Sequence, residues 1–404
     1  MNRVVVTGLG AVTPVGNDVE ATWRSLLAGR SGIGRISTFE PDTFKVQIAG
    51  LVKDFDLADY PEAAKHDDAQ YLSRSGSFGV AAAIQALADA GVDGSGYAPE
   101  DRGLSFGSSV GRPELKDLSD MLHPIDEGTG LYRQPPSIVR RRDPNLAMRL
   151  IAELGDLQGP TIGVSTACTA SAHAMGEAYR RIQDGDAKLM IVGGFDALTS
   201  WLDVLGFSLL GALTDEYNDD PEHASRPFDA KRSGFVLGEG ATVAVLEERE
   251  AAEARGARIY AEVVGYSSSL NAYRITDAPP DGGGAILAMG SALRESGLRT
   301  DEIDYVAAHG TGTPGNDLSE TMAIKQVFGD DAYKLAISSA KSMTGHMTAA
   351  AGGLSMVIAC CAMRDSMVPP TINLDNPDPK LDLDYLPNVA RERQVRAAML
   401  NAFA

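Results

Sequence analysis

A chain of 404 residues, 44% hydrophobic and 23% charged, has the composition of a soluble globular protein of two or three domains or one large double unit. Its formal net charge of −19 makes nucleic acid and anionic membrane surfaces poor partners. Three cysteines cannot build a disulfide framework, none has zinc-site spacing, and no apolar run reaches the roughly 18 residues of a membrane span.

The chain opens on M-N-R-V-V-V-T-G-L-G, a strand over Val4 to Gly8 with no secretory leader, so a reducing, cytoplasmic compartment is expected. Thr22 to Ala28 is helical, as is Ser75 to Ala90, which Gly91 stops. Gly103 to Ser108, Thr161 to Ser165, Leu189 to Gly194 and Ala241 to Glu247 read as buried strands. A charged helix, E-R-E-A-A-E-A-R-G-A-R, comes next. Further strands cover Ile259 to Tyr266 and the stretches near Val306 and Ile337. This is α/β organisation with buried sheets. It contains a coarse repeat. I-G-V-S-T-A-C leads into a small-residue helix over Ala170 to Ile182, and A-I-S-S-A-K-S-M-T-G-H leads into another over Ala349 to Met363. The expected organisation is two similar halves, 1–250 and 251–404, joined near Glu250 to Arg258 in one compact unit.

Cys168 sits among small residues at the first of these strand-to-helix junctions. There, backbone N–H groups and the helix dipole favour a thiolate and offer an oxyanion site. Alone, such a cysteine is as readily a buried apolar residue, which is the reading for the adjacent Cys360 and Cys361. A nucleophile needs a partner. Of the six histidines, His66, His123 and His223 lie in polar or loop segments and His173 packs on the helix after Cys168. His309, in A-A-H-G-T-G-T-P, and His346, in S-M-T-G-H-M-T-A, each end a strand among glycines, where α/β folds build sites. Lys341 lies in an uncharged stretch, and Glu320 is a helix carboxylate that could pair with it to orient a histidine. V-V-V-T-G-L-G-A-V-T lacks the third glycine of a dinucleotide fingerprint, having Thr13 there, and H-G-T-G-T-P-G-N-D lacks the G-K-[ST] of a phosphate loop, so no nucleotide is predicted.

Taken in order, S-T-A-C (165–168), H-G-T-G-T (309–313) and K-S-M-T-G-H (341–346) resemble the β-ketoacyl-acyl carrier protein synthases of the elongating Cys-His-His type. Within that family the likeness is greatest to synthase II of bacterial fatty acid synthesis. It runs from Met1 to Ala404 and includes V-T-G-L-G-A-V-T-P-V-G, S-R-P-F-D, G-F-V-L-G-E-G and V-P-P-T-I-N-L. The resemblance implies the thiolase fold: a duplicated core of five layers, helix-sheet-helix-sheet-helix, usually a homodimer. It implies a decarboxylating Claisen condensation between an acyl-carrier-protein thioester and malonyl-carrier protein. Cys168 would carry the acyl chain, and His309 and His346 would hydrogen-bond the malonyl thioester carbonyl. Lys341 would sit beside His309, and Glu320 would order the Lys341 region. Thr311 and Thr313 match positions that bind the phosphopantetheine arm, which the carrier protein brings. No metal and no bound cofactor is implied. Val110 matches a position that influences acyl chain length at the dimer interface. Phe403 matches an aromatic that, in the family, precedes a glycine-rich turn with an aromatic gate and a final strand.

Some positions depart from synthase II. Asn271 stands where aspartate is usual and Arg274 where histidine is common. N-D-D-P-E-H-A-S-R-P-F-D (218–229) resembles ketosynthases of type II polyketide systems, which pair with a homologous chain-length subunit. Asp215 and Glu216 occupy positions that are often basic for docking the acidic carrier protein, and K-H-D-D near His66 is likewise poor in basic residues. Arg140, Arg141 and Arg142, or else Arg112, are the alternative docking patch. The expectation is therefore fatty-acid-type elongation, with a polyketide ketosynthase subunit as the second reading. A non-catalytic chain-length subunit is disfavoured by Cys168, and a thiolase acting on coenzyme A thioesters would need a second cysteine as base.

Overall fold

The computed structural model describes residues 1–109, 115–126, 140, 143–274 and 277–404. Val110, Arg112, Arg141 and Arg142 lie outside these residues. The strands are β1 Val4–Val12, β2 Ile33–Arg35, β3 Ile48–Gly50, β4 Arg102–Ser108, β5 Thr161–Val164, β6 Leu189–Asp196, β7 Gly240–Glu248, β8 Ala261–Val263, β9 Tyr305–Ala307, β10 Ala336–Ser338, β11 Met367–Val368, β12 Arg391–Glu392 and β13 Ala398–Leu400. The described α-helices are α1 Val19–Leu27, α2 Arg74–Ala90, α3 Leu115–Asp126, α4 Pro144–Leu154, α5 Ala170–Asp184, α6 Trp201–Leu209, α7 Arg249–Ala254, α8 Gly283–Ser296, α9 Pro314–Phe328, α10 Lys341–Thr344 and α11 Ala351–Asp365.

Two sheets organise these elements. The first has the order β5-β4-β6-β7-β1-β8, and the second the order β10-β9-β13. In the first, β4 is parallel to β5 and β6, while β7 runs antiparallel to both β6 and β1. Every residue of β1 is buried, and the strand runs on to Val12, beyond the expected Gly8. Its glycines explain the close cover by α2. A Cβ on Gly10 would stand 1.9 Å from the Ala82 carbonyl oxygen, and one on Gly8 2.4 Å from that of Ala86. Helix α2 starts on Ser73, whose hydroxyl accepts the Gly76 N–H, and stops at Gly91 with φ 63°, as its sequence predicts. Strand β8 is shorter than the expected Ile259 to Tyr266. Its partner β1 begins at Val4, opposite Val263, so later residues have no strand to bond. Although β8 lies beyond the expected joint, it belongs to the first sheet.

The layers follow from three apolar clusters. Helix α2 packs Phe78, Val80 and Ala83 with Leu104, Phe106 and Val243 on the outer face of the first sheet. Helices α5 and α11 fill the space between the sheets, where Ile182 and Tyr179 meet Leu246, Tyr305, Val357 and Cys360. Helices α8 and α9 cover the outer face of the second sheet through Met289, Ile324 and Phe328 against Val306 and Ile337. This is the expected five-layer order. Helix α11 can lie in the middle because twelve consecutive residues, Ala351 to Ala362, are small or apolar enough to be buried all round. Among the described residues, no helix is long and apolar enough to cross a membrane.

Candidate active site

Strand β5 ends in a single 3₁₀ turn, Ala167–Thr169, that runs directly into α5. Ala167 has φ 50°, an uncommon conformation for a residue with a side chain, and it sharpens the elbow that presents Cys168. Cys168 is half-buried, between the exposed Ser165 to Ala167 and the buried Ala170. Burial pushes its thiol up to about 11; the Lys341 ammonium opposes the rise and the Asp196 carboxylate adds to it. The sequence leads one to expect a thiolate here. The structure opposes this, because desolvation outweighs the Lys341 cation and the backbone hydrogen bond that favour the thiolate. The cysteine rests as a thiol.

The second constellation is brought to the mouth of the second sheet. His309 follows β9, His346 follows α10, and their rings lie 5.3 Å apart at 83°. Both are buried. Lys341 Nζ donates to the His309 carbonyl at 2.6 Å and lies 3.4 Å from His309 Nδ1. The Thr348 backbone N–H donates to His346 Nδ1 at 3.2 Å. An Nδ1 that accepts leaves the ring proton on Nε2. The network therefore assigns both rings as Nε2–H donors, and His346 Nε2 has no partner among the described residues. Burial, then Lys341 and His346, hold His309 well below the usual histidine range. Burial and Lys341 do the same to His346. Both imidazoles are neutral at neutral pH.

Lys341 and Glu320 both bond His309, Lys341 at the ring and carbonyl and Glu320 at the backbone N–H, and they form no direct ion pair with each other among the described residues. Glu320 accepts the His309 and Gly310 backbone N–H groups, each at 2.8 Å, and Asn401 Nδ2 at 2.9 Å. Burial lowers Lys341 to about 8, against the pull of Glu320, Cys168 and Asp317. Burial raises Glu320, and the N–H groups of Gly310, Asn401 and His309 restrain the rise. Thr311 and Thr313 lie in the same loop with hydroxyls 3.0 Å apart, and the Thr313 hydroxyl also caps α9 by accepting the Asn316 N–H. The Phe403 ring stands 5.4 Å from that of His309. Phe235 lies 5.4 Å from His346 and closes the other side of the pair. Sequence reasoning did not single out Phe235, although it lies in G-F-V-L-G-E-G.

The remaining expected residues lie elsewhere. His173 Nδ1 contacts the Thr166 hydroxyl at 2.8 Å, beside the cysteine turn. His66 pairs with Glu153 at 2.9 Å, His223 with Asp220 at 2.8 Å, and His123 is exposed on α3. Cys360 and Cys361 are buried in α11, and burial raises both thiols. Asn271 Oδ1 accepts the Gly284 N–H at 3.1 Å, and Arg274 pairs with Asp277 at 3.4 Å. Asp215 and Glu216 are exposed. Arg140 is engaged by Asp68 at 2.8 Å. Among the described residues, no group of three or more acidic, histidine or cysteine side chains could hold a metal. Sequence reasoning also missed Asp196, at the end of β6, whose carboxylate reaches the turn after His346.

A thiol at a half-buried elbow and two buried, neutral N–H donors are the groups that acyl transfer and enolate stabilisation need. The comparisons agree with that geometry. The family model "Beta-ketoacyl synthase, N-terminal domain" matches residues 1–252, and "Beta-ketoacyl synthase, C-terminal domain" matches 260–375. The 3-oxoacyl-[acyl-carrier-protein] synthase 2 of Synechocystis is 44% identical over 99% of this chain and 95% of its own length. That of Vibrio cholerae is 43% identical over 99% and 96%. A beta-ketoacyl synthase from Burkholderia phymatum superposes with TM-score 0.89 at 34% identity, covering 100% of this chain and 97% of its own. A type II polyketide ketosynthase in complex with its acyl-carrier protein and bound to a hexaketide gives TM-score 0.86 at 33%, over 99% and 96%. The ishigamide ketosynthase/chain length factor gives 0.87 at 33%, over 100% and 96%. The architecture is the thiolase fold, and the chain belongs to the beta-ketoacyl synthase family.

Proposed function

We propose that this chain catalyses the decarboxylating condensation of an acyl-carrier-protein thioester with malonyl-carrier protein, as in fatty acid elongation. Cys168 Sγ attacks the acyl thioester, and the carrier thiol leaves with the proton. The malonyl carboxylate then departs as carbon dioxide. Its bonding electrons pass into the thioester carbonyl, and the enolate oxygen accepts the Nε2–H groups of His309 and His346. The enolate carbon attacks the acyl-cysteine carbonyl, the new carbon–carbon bond forms, and the Cys168 thiolate leaves and is reprotonated. The product is a 3-oxoacyl chain two carbons longer. Lys341 keeps His309 in its donor tautomer, and Glu320 holds the His309 and Gly310 backbone. Thr311 and Thr313 bind the phosphopantetheine arm, so no cofactor of the enzyme's own takes part.

The observation that carries this reading is the pair of neutral Nε2–H donors, with that of His346 without a partner among the described residues. Two buried, neutral donors suit developing negative charge. The relatives named synthase 2 support the fatty-acid reading through their identity over nearly the whole chain. A thiolase is disfavoured because Cys360 and Cys361 lie buried in α11 and supply no second thiol to the site.

The partner of this reading is acyl carrier protein, supported by the neighbour seen with its own carrier. A second chain of the same fold is the other partner. Strand β5 ends the first sheet among the described residues, and Thr161 and Gly163 in it and Ser165, Thr166 and Ala167 after it are exposed, an edge that a second chain would cover. A homodimer fits elongation. The neighbour built with a chain length factor supports the alternative, a heterodimeric polyketide ketosynthase.

The test mixes the protein alone with a medium-chain acyl-carrier protein and malonyl-carrier protein and reads products by intact-protein mass spectrometry. A 3-oxoacyl product two carbons longer, lost in Cys168→Ala, is expected. Acylated Cys168 without condensation would favour the heterodimer, which native mass spectrometry resolves. Absence of acylation would overturn the mechanism.

A further inference from the structure

The turn after His346 is held by a carboxylate from the other half of the molecule. Asp196 ends β6 and is 3% exposed. Its Oδ2 accepts the Ser109 hydroxyl at 2.7 Å, the Thr348 hydroxyl in a short contact, and the Ala349 N–H at 3.2 Å. Its Oδ1 accepts the Ala197 N–H at 3.1 Å. Thr348 has φ 41°, a left-handed conformation that is strained for a β-branched residue. The hydrogen bonds that the Thr348 hydroxyl and the Ala349 N–H make to Asp196 offset that strain. In that conformation the Thr348 N–H donates to His346 Nδ1. The seat is tight: a Cβ on Gly194 would stand 2.4 Å from the Ala349 carbonyl oxygen. The backbone bond to Nδ1 is what places the proton of His346 on Nε2, and the threonine that makes this bond is anchored by its side chain.

We propose that Asp196 is a positioning residue for His346: through the Thr348 hydroxyl it holds the Thr348 N–H on Nδ1 and so keeps His346 a Nε2–H donor. The inference rests on the condensation proposed above for its consequence, but its structural content is the tautomer, which exists without substrate. Burial raises the Asp196 carboxyl, the Thr348, Ser109, Ala349 and Ala197 donors restrain the rise, and the negative charge it carries opposes ionisation of Cys168. Removing that charge therefore has two effects of opposite sign. Enolate formation loses an aligned donor, and the thiol ionises more readily.

The test uses the full chain with Asp196→Asn, Thr348→Val and Thr348→Ser. In wild type, ¹⁵N NMR of the free protein shows His346 as a single Nε2–H tautomer; Thr348→Val and Asp196→Asn show a mixture, and Thr348→Ser restores the single form. Malonyl-carrier decarboxylation falls by about 10- to 100-fold in Thr348→Val, the scale of a misplaced catalytic group, and returns with serine. Iodoacetamide alkylation of Cys168 is faster in Asp196→Asn than in wild type. An unchanged His346 tautomer in both Thr348→Val and Asp196→Asn overturns the proposal. So does an equal fall of acyl loading and decarboxylation in Thr348→Val that serine does not rescue, since that is a folding defect. If wild type shows the single tautomer yet never decarboxylates malonyl-carrier protein, the condensation reading fails while the positioning inference stands.

Discussion

The cysteine turn and the lysine–histidine turn are the two copies of one device, a strand entering a tight corner and then a helix between the sheets. They differ in their exposure to water. Ser165 to Ala167 are exposed before Cys168, whereas every residue from Lys341 to Ala362 is buried. Both strands lie at sheet edges, β5 in the first sheet and β10 in the second. The chain itself covers β10. Ile337 donates to the Asp384 carbonyl at 3.0 Å, and Ser339 N–H to the Thr371 hydroxyl at 3.0 Å. Strand β5 has no further strand beside it among the described residues. The difference follows the chemistry. A nucleophile that must meet a thioester on a long arm needs access, whereas donors for an enolate gain strength where water is excluded.

The largest expected effect breaks the accessible side alone. Cys168→Ala abolishes acyl loading, read by intact mass, with an unchanged circular dichroism spectrum. Next, His346→Ala removes a donor from the dry side. Malonyl-carrier decarboxylation falls by about 10²–10³, the usual loss for one oxyanion donor, while Cys168 still loads. If both half-reactions fell equally, the division of labour between the turns would be wrong.

Stability sharpens the same contrast. Glu320→Ala leaves two buried N–H groups without their acceptor and Lys341 without the largest of the charges that compensate it. A loss of about 3–5 kcal/mol in urea unfolding is expected. The pH dependence carries the sign of the buried histidines. Unfolded, they titrate near 6.5; folded, His309 and His346 titrate well below it. As pH falls through 6.5 the unfolded chain takes up protons that the native site refuses. Stability is therefore lost on the acid side, at up to about 1.4 kcal/mol per pH unit for each histidine. Both imidazoles stay neutral over that range, and a decarboxylation rate that collapsed at pH 6.5 in still-folded protein would contradict their burial. The smallest effect belongs to the surface: Arg274→Ala, at an exposed residue, changes stability by less than about 0.5 kcal/mol in the same unfolding assay.

The chemistry-bearing residues are legible in the amino-acid sequence alone. S-T-A-C, H-G-T-G-T and K-S-M-T-G-H each specify a strand end, a turn of small residues and a helix start, which are local properties of a few consecutive residues. The duplicated layers are legible for the same reason, because a helix as uniformly small and apolar as α11 can only lie inside. Val110 and the proposed basic patch beyond Arg140 fall outside the described residues. The state of the groups is decided only by the tertiary structure. The Cys168 thiol, the tautomers of His309 and His346, and the Asp196 anchor depend on sums of burial and charge over side chains far apart in the chain. Lys341 and His309 are 32 positions apart, and Asp196 and Thr348 are 152 apart. Desolvation acts through everything that surrounds a group, so a motif of ten residues can name the nucleophile and the donors without saying which of them is charged.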